Sequence, residues 1–434
     1  MFTNILQPSN PAMDKSRLIS ALDNDREHHI AFLQALIQAP SPNPPGDTTL
    51  VAKVVTEYLD QQGVVTTTIA PKETLPNIVS DFIGGRGDGP RVVMNGHMDV
   101  FPVGDANDWK YSPWSGHIDD GHIYGRGSVD MKAGTAASII AFSYLHKYRA
   151  ELNGSLALTV VSDEETGGRW GSRWLLAQKH DNYKWRGDCM VNAEPGGIQS
   201  VRFGEKGTLR LTFTVNTVGA HGAYLHLSEG ANRIGIRFVT ELLSVEQLVP
   251  ELPDSLAAYI GRPDVRRHID EIMGKGAANN ILRPTVNIGS WNGGVKVNMI
   301  PERCIIEADI RLPIGMKADI VMHHIHCILK RYPEISVSVQ EAASNPASYS
   351  DFQHPMVSAI AKNSEAMTGH LPVTLPSLGA TDCKFWRYLD IPTYVYGVSP
   401  NTMASKDEHV NIDEFLIVVK THALAIWDYL GGPP

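Results

Sequence analysis

The spacing of hydrophobic positions changes several times along the chain, and each change predicts a change of element. Leu18, Leu22, His29, Phe32, Leu33 and Leu36 recur at helical spacing and predict an amphipathic helix over 15–38. The run Ala39-Pro40-Ser41-Pro42-Asn43-Pro44-Pro45-Gly46 stops it, because proline lacks the amide hydrogen that a helix interior needs, and predicts a rigid loop. A second helix is expected over 47–63, followed by strands over 64–69, 77–82 and 91–95. The glycine-rich stretch 84–90 reads as the turn joining the last two. A helix over 131–147 and a strand over 155–162 continue the alternation, which predicts a largely buried sheet with helices on both faces.

The pattern changes near Gly204. Leu209, Leu211, Phe213 and Val215 alternate with polar neighbours, the mark of a half-buried strand, here over 207–217. A helix over 229–246, strands over 284–290 and 300–311, a helix over 316–331 and a strand over 335–340 follow. This β-α-β-β-α-β order is the split ferredoxin-like pattern. After Ser350 helix and strand alternate again, ending in a helix over 413–430. A chain of 434 residues exceeds what one core usually holds. The expected fold is α/β: one domain with a central, mostly parallel sheet flanked by helices (1–206 and 342–434), interrupted by an inserted α+β ferredoxin-like domain (207–341). No internal repeat or low-complexity tract interrupts it.

Composition narrows the partners. The net charge is -9 and no lysine- or arginine-rich run occurs, so neither nucleic acid nor an anionic membrane is an expected partner. No run of about 18 apolar residues predicts a membrane-spanning helix. Met1 to Pro11 has neither a basic start nor an apolar core, so no secretory signal is expected there. Cys189, Cys304, Cys327 and Cys383 are scattered and form no CxxC pair, which reads as buried thiols in a reducing cytoplasm.

The chemistry starts from Glu164-Glu165, two acids directly after the strand over 155–162. Like charges this close raise each other's pKa unless a cation or proton lies between them. Candidates to share that cation are His97, Asp99, Asp130 and Glu194. His97 and Asp99 alternate along an extended chain and so point to one side. A metal-bound histidine needs an acceptor for its second ring nitrogen. Singly, His97 reads as a solvated loop histidine, Asp130 as a helix N-cap and Glu194 as a loop acid. Together they fall at strand ends or loop starts about 30 residues apart, one βα unit each, and such positions converge at the carboxyl edge of an open sheet. One histidine with several carboxylates suits a zinc or manganese ion, with cobalt as a third choice.

The segments Gly96-His97-Met98-Asp99-Val100, Gly125-Arg126-Gly127-Ser128-Val129-Asp130-Met131-Lys132-Ala133-Gly134, Ser162-Asp163-Glu164-Glu165-Thr166-Gly167-Gly168 and Asn192-Ala193-Glu194-Pro195-Gly196-Gly197 resemble motifs of the M20 metallopeptidase/deacetylase family, in its order and spacing. That family includes carboxypeptidase G-like enzymes, aminoacylases, acetylornithine deacetylase and succinyl-diaminopimelate desuccinylase, and the resemblance runs from about residue 30 to 430. It implies a metal-binding catalytic domain with a lid domain that often mediates a dimer. It also implies His97 and Glu194 as ligands of a first metal, Asp130 as a bridging ligand, Glu165 as a ligand of a second metal and Asp99 as the partner of His97. Glu164 is implied as the general base toward a metal-activated water, a role a nearby carboxylate can perform.

In the inserted domain, His221 in Val218-Gly219-Ala220-His221-Gly222-Ala223 resembles the lid histidine that reaches a partner subunit's site and stabilises an oxyanion. A turn histidine is the plainer reading. Asn298 and Arg311 resemble the family's polar substrate contacts; Arg311 either clamps a substrate carboxylate or pairs with a neighbouring acid. Gly379 and Ala380, in Ser377-Leu378-Gly379-Ala380-Thr381-Asp382, resemble a turn lining the substrate pocket, or form a plain turn.

The chain departs from the family at one point. The usual last histidine ligand lies four residues before a glutamate. Here Glu408 puts Ala404 at that place, or Met403 if the gap is placed differently, and His409 on the far side of Glu408 is the available substitute. The second metal site then keeps only Asp130 and Glu165, so one tightly bound ion per chain is expected. The expected activity is hydrolysis of a C–N bond in a small carboxylate-bearing substrate, an N-acyl amino acid or small peptide. Hydrolytic deamination of an aromatic amino acid such as a nitroanthranilate is the alternative. A catalytically inactive metal- or ligand-binding homologue is a third reading, against which the presence of Glu164 argues. A homodimer or higher homo-oligomer through the lid is expected.

Overall fold

The computed structural model describes residues 13–179 and 184–434. The polar start from Met1 to Pro11 lies outside the described residues. The chain packs as two compact units. The first holds the described residues up to Val201 with Asp351–Thr374 and Leu389–Pro434; the second holds Arg202–Ser350 with Leu375–Tyr388.

In the first unit, strands Thr67–Ile69, Asn77–Ile83, Ser155–Val161, Arg91–His97, Cys189–Asn192 and Thr393–Val395 lie side by side in that order. The last four are mutually parallel, and the first two are antiparallel to their neighbours. Val92, Val93, Met94, Leu156, Ala157, Leu158 and Val160 are all buried, on successive positions rather than alternate ones. That is the pattern of a parallel sheet covered on both faces. Helix Ala133–Lys147 is buried from Ala133 to Leu145 and packs against the last helix, Ile412–Tyr429, and against Arg91–His97.

Register decides what reaches the sheet edge. His97 stands opposite Val161, and Asn95 opposite Asn192. Arg91–His97 and Ser155–Val161 therefore end level, Cys189–Asn192 ends two residues earlier, and the chain leaves all three at the same carboxyl edge.

Several expected elements differ in detail. The helix over 15–38 is two helices, Lys15–Asn24 and Arg26–Gln38, broken at Asp25, whose carboxylate accepts a hydrogen bond from the Tyr144 hydroxyl. The helix expected from 131 starts at Ala133, after a wide turn over Ser128–Lys132. Strands His117–Asp119, His122–Tyr124 and His409–Asn411 make a small sheet too short to show a hydrophobic period.

In the second unit, strands Thr285–Gly293, Arg303–Leu312, Gly207–Asn216 and Ile335–Val339 form an antiparallel sheet in that order. Alternate residues Leu209, Leu211, Phe213 and Val215, with Cys304, Ile306, Ala308 and Ile310 from the adjoining strand, face helices Ala231–Leu242 and Ala318–Leu329 in one core. The stretch between the first helix and the next strand, where no element was expected, carries short helices Asp254–Ile260, Pro263–Met273 and Ala277–Ile281. Cys189, Cys304 and Cys383 are buried, but Cys327 is exposed on helix Ala318–Leu329, so the expectation of buried thiols fails at that position. Among the described residues no helix is long and apolar enough to cross a membrane.

Candidate metal centre

His97 is the last residue of its strand; Glu164 and Glu194 lie just past the ends of the two strands beside it. Asp130 comes from the turn Ser128–Lys132. His97, Asp99 and Glu194 are buried, whereas Asp130, Glu164 and Glu165 are half-buried. The helix beginning at Ala133 is held against this edge by Thr135, whose hydroxyl donates to the His97 carbonyl at 2.7 Å. Gly134 permits the approach: a Cβ there would lie 2.1 Å from the Ala193 carbonyl oxygen.

The His97 Nδ1 lies 2.8 Å from the Asp99 backbone carbonyl. A carbonyl only accepts, so Nδ1 carries the hydrogen and Nε2 is turned toward the acids. Nε2 is 3.2 Å from Asp130 Oδ1, 3.4 Å from Glu194 Oε1 and 4.0 Å from Glu164 Oε2. Tetrahedral zinc with bonds near 2.0–2.1 Å spaces its ligand atoms by ~3.3 Å, which the first two separations match. Burial works against charge on this imidazole, but the carboxylates of Asp130, Glu194 and Glu164 outweigh it and hold its pKa well above the ordinary value. A cluster that retains a proton this strongly presents the same negative field to a cation.

Glu165 completes a second grouping with His97 and Asp130. Its Oε1 is buried and makes no hydrogen bond. Burial first, then the charges of Asp130, Glu164 and Asp99, with His97 opposing, push its pKa up to about 11. An orphaned carboxylate oxygen among acids is costly, and a divalent cation satisfies it. The residues present therefore fit a metal ion.

Asp99 acts differently from the expectation that its side chain holds His97. Its carboxylate is 3.6 Å from Nδ1, and the imidazole is held by the backbone carbonyl instead. The carboxylate accepts the backbone N–H of Glu164 at 3.2 Å and of Glu165 at 3.1 Å, and the Asn43 amide at 2.9 Å. One residue thus orients both the imidazole and the turn carrying the two acids. That turn opens at Asp163, a non-glycine residue at φ 74°, whose side chain accepts hydrogen bonds from the Thr166 hydroxyl and, at 3.0 Å, from the Trp170 N–H. Asn192 holds Glu194 in the same way, accepting its N–H at 2.6 Å.

Ala404 and Met403 are exposed, with Ala404 at φ 57°. His409 donates from Nδ1 to the Asp407 carbonyl at 2.8 Å, lies over the Tyr124 ring at 4.7 Å and meets His122 edge-on at 5.1 Å. It joins neither of the ligand groupings found among the described residues. Its neighbour Glu408 is buried and accepts hydrogen bonds from Arg126 Nη1 at 2.6 Å and from the N–H groups of Gly127 at 3.1 Å, Val129 at 2.9 Å and Asp130 at 3.1 Å. The acid that marks the place of the missing ligand thus clamps the turn that presents Asp130. Asn43, Arg126, Asn192 and Glu408 are the residues whose roles sequence reasoning missed. The bonds of Asn43, Arg126 and Glu408 run to distant chain segments, whereas Asn192 acts on Glu194 two residues away within one motif.

In the second unit His221 pairs with Met299 across a short ribbon, and the Gly222 N–H donates to the Asn298 carbonyl at 2.8 Å, so His221 and Asn298 are neighbours. His221 is exposed. The Arg311 guanidinium donates to Asp309 Oδ2 through Nε at 3.1 Å and Nη2 at 3.0 Å, the neighbouring-acid alternative. The turn holding Gly379 and Ala380 is anchored at Thr381, whose N–H and hydroxyl donate to Glu205 at 3.2 and 2.9 Å. Glu205 is itself buried against Arg387 at 2.9 Å.

The model of peptidase family M20/M25/M40 matches residues 93–428. A probable succinyl-diaminopimelate desuccinylase of Staphylococcus epidermidis is 24% identical over 385 residues, covering 88% of this chain and 93% of that protein. Among solved structures, an M20 family metallo-carboxypeptidase from Sulfolobus solfataricus superposes with a TM-score of 0.77 at 18% identity, over 92% of this chain and 99% of that one. A dipeptidase from Saccharomyces cerevisiae gives 0.75 at 17% identity, over 97% and 99%. A Bacillus subtilis protein described as a dinuclear metal-binding M20 peptidase gives 0.62 at 14% identity, over 95% and 99%.

Proposed function

The chain belongs to peptidase family M20/M25/M40 and is a metallohydrolase acting on an amide or peptide C–N bond, and from that premise we propose that it hydrolyses the amide of a small carboxylate-bearing substrate, an N-acyl amino acid or small peptide, with one tightly held divalent ion per chain. The observation that carries the reading is the His97 imidazole, fixed through Nδ1 by the Asp99 carbonyl and turned through Nε2 toward Asp130, Glu194 and Glu164. His97, Asp130 and Glu194 would hold the ion, zinc or manganese, with Glu165 or water filling its remaining position. When bound, such an ion polarises the scissile carbonyl and acidifies a water.

The rest belongs to the protein's own groups. Glu164 takes a proton from the attacking water as its oxygen bonds to the carbonyl carbon, and returns that proton to the nitrogen as the C–N bond breaks, leaving a carboxylic acid and an amine. Asp99, through the N–H groups of Glu164 and Glu165, keeps that base in place. His221, with Asn298 beside it, stabilises the developing oxyanion in a paired molecule, and the Gly379-Ala380 turn receives the substrate. Arg311 clamps a substrate carboxylate only if Asp309 yields its place.

The absence of a nitrogen ligand at exposed Ala404 favours a second reading, hydrolytic deamination of an aromatic amino acid at the single-metal site. A panel of N-acyl amino acids, dipeptides and aromatic amino acids, assayed with added Mn²⁺ and Zn²⁺ separately, tests both. Amine release from the amides supports the first reading, ammonia release from the aromatic acids alone supports the second, and no turnover of any member contradicts both.

A further inference from the structure

Helix Ala318–Leu329 packs Val321, Ile325 and Ile328 into the core of the second unit, at the three- and four-residue spacing of one helix face. Its opposite face would ordinarily carry long charged side chains. The helix has no lysine, arginine or glutamate, and its exposed residues are Asp319, Ile320, His323, His326 and Cys327. Free cysteine is among the most buried residue types, so a thiol left in water beside imidazoles calls for a reason.

His323 and Cys327 are four residues apart, and helical residues at that spacing face each other. The His323 Nε2 lies 3.8 Å from the Cys327 Sγ. A tetrahedral zinc ion, with bonds of about 2.0 Å to nitrogen and about 2.3 Å to sulfur, spaces those two atoms by ~3.6 Å. The pair therefore stands at chelating distance on an unchanged backbone. His324 is engaged elsewhere, its Nε2 lying 2.7 Å from the Ser244 hydroxyl. His326 lies three residues after His323, on the same exposed face. Among the described residues it closes no three-ligand grouping with the pair, so its exposed ring has to rotate to join them. Asp319, one turn before His323, adds negative charge.

An imidazole with a thiolate selects a borderline-soft ion, whereas calcium and magnesium take oxygen ligands. We propose that His323 and Cys327 form a surface chelate for a zinc-like divalent ion, with water or His326 completing its shell. The thiol proton leaves to solvent as the ion binds. All six residues of the metal centre lie in the first unit, so the two sites share no ligand. An ion held by two or three exposed ligands exchanges with solvent and is lost on dialysis, so this site fills only when free metal is present.

Cobalt(II) titration of the zinc-loaded, dialysed protein under reducing conditions tests this. Thiolate-bound cobalt absorbs in the near ultraviolet, the metal centre contains no sulfur ligand, and Cys189, Cys304 and Cys383 are buried. The band should rise to saturation, be displaced by added zinc and be indifferent to magnesium. Cys327→Ser should abolish it. His323→Ala should raise the cobalt dissociation constant about tenfold or more, since losing even an outer partner of a metal costs about 10–100-fold in affinity. Both side chains are exposed, so neither change removes a core contact. No band, a band that persists in Cys327→Ser, an unchanged affinity in His323→Ala, or a band that zinc does not displace would overturn the proposal.

Discussion

Glu164 and Glu165 are adjacent in sequence but belong to different groupings in space. Glu164 sits with His97 and Glu194, and Glu165 with His97 and Asp130. If Glu164 is the base, Glu164→Gln lowers kcat by about 10²–10⁴-fold while the metal content stays that of the wild type. Unchanged turnover would reject the role. Asn43 offers a subtler test, since its amide bonds the Asp99 carboxylate behind the base at 2.9 Å and, in the turn carrying that base, Thr166 at 3.2 Å and Asp163 at 3.4 Å. Losing such an outer partner costs about 10–100-fold in activity or metal affinity, and Asn43→Ala should show that loss in a metal titration paired with a rate assay. Glu164 and Glu194 were legible as ligand or base candidates because each follows an apolar run that ends at one sheet edge, whereas Asp130 comes from the turn Ser128–Lys132. Asn43 was not, because its bond to Asp99 spans 56 positions and proline-rich surroundings read only as a stiff loop. His409 looked available on sequence proximity alone; its ring is committed to Tyr124 and His122.

Elements show which interactions hold the site in shape. The bonds of Glu408 tie the start of strand His409–Asn411 to the turn that presents Asp130. Removing one partner of a buried ion pair typically costs about 3–5 kcal/mol, so Glu408→Ala should lower the urea midpoint and weaken metal binding together. The last helix carries His422, fully buried, with Nε2 donating to the Tyr396 carbonyl at 2.7 Å. Burial, opposed by that hydrogen bond, lowers its pKa to about 4. The unfolded chain, with a histidine pKa near 6.5, takes up a proton before the folded one does. Its contribution is therefore complete above about pH 6.5 and is lost as pH falls toward 4, by about 3 kcal/mol in all. Urea midpoints at pH 7 and pH 4.5 should differ accordingly, and His422→Gln should shrink the difference; an identical pH dependence in the variant would contradict it. Long periodic helices and strands were legible from hydrophobic spacing. The break at Asp25, whose carboxylate accepts the Tyr144 hydroxyl, was not, since helical spacing continues across it, and three-residue strands carry too few positions to show a period.

At the scale of the molecule, the β-α-β-β-α-β order was readable because alternation in 207–217 marks a sheet with one wet face. The packing of Leu375–Tyr388 with the inserted unit was not, because no composition shift marks it. The second unit leaves Val218, Leu225, Leu227, Ile236, Trp291 and Met299 exposed, an unusual density of apolar side chains for a free surface. We propose that a second copy of the chain covers part of it. Sedimentation should give the mass of a dimer or larger assembly, and Ile236→Glu should shift it toward the monomer; a wild-type monomer at micromolar concentration would contradict this. The account as a whole depends on what His97, Asp130 and Glu194 hold. The most direct test is the number of divalent ions per chain, measured by elemental analysis after exhaustive dialysis of protein saturated with zinc or manganese. The account predicts one; two retained ions, or none, would contradict it.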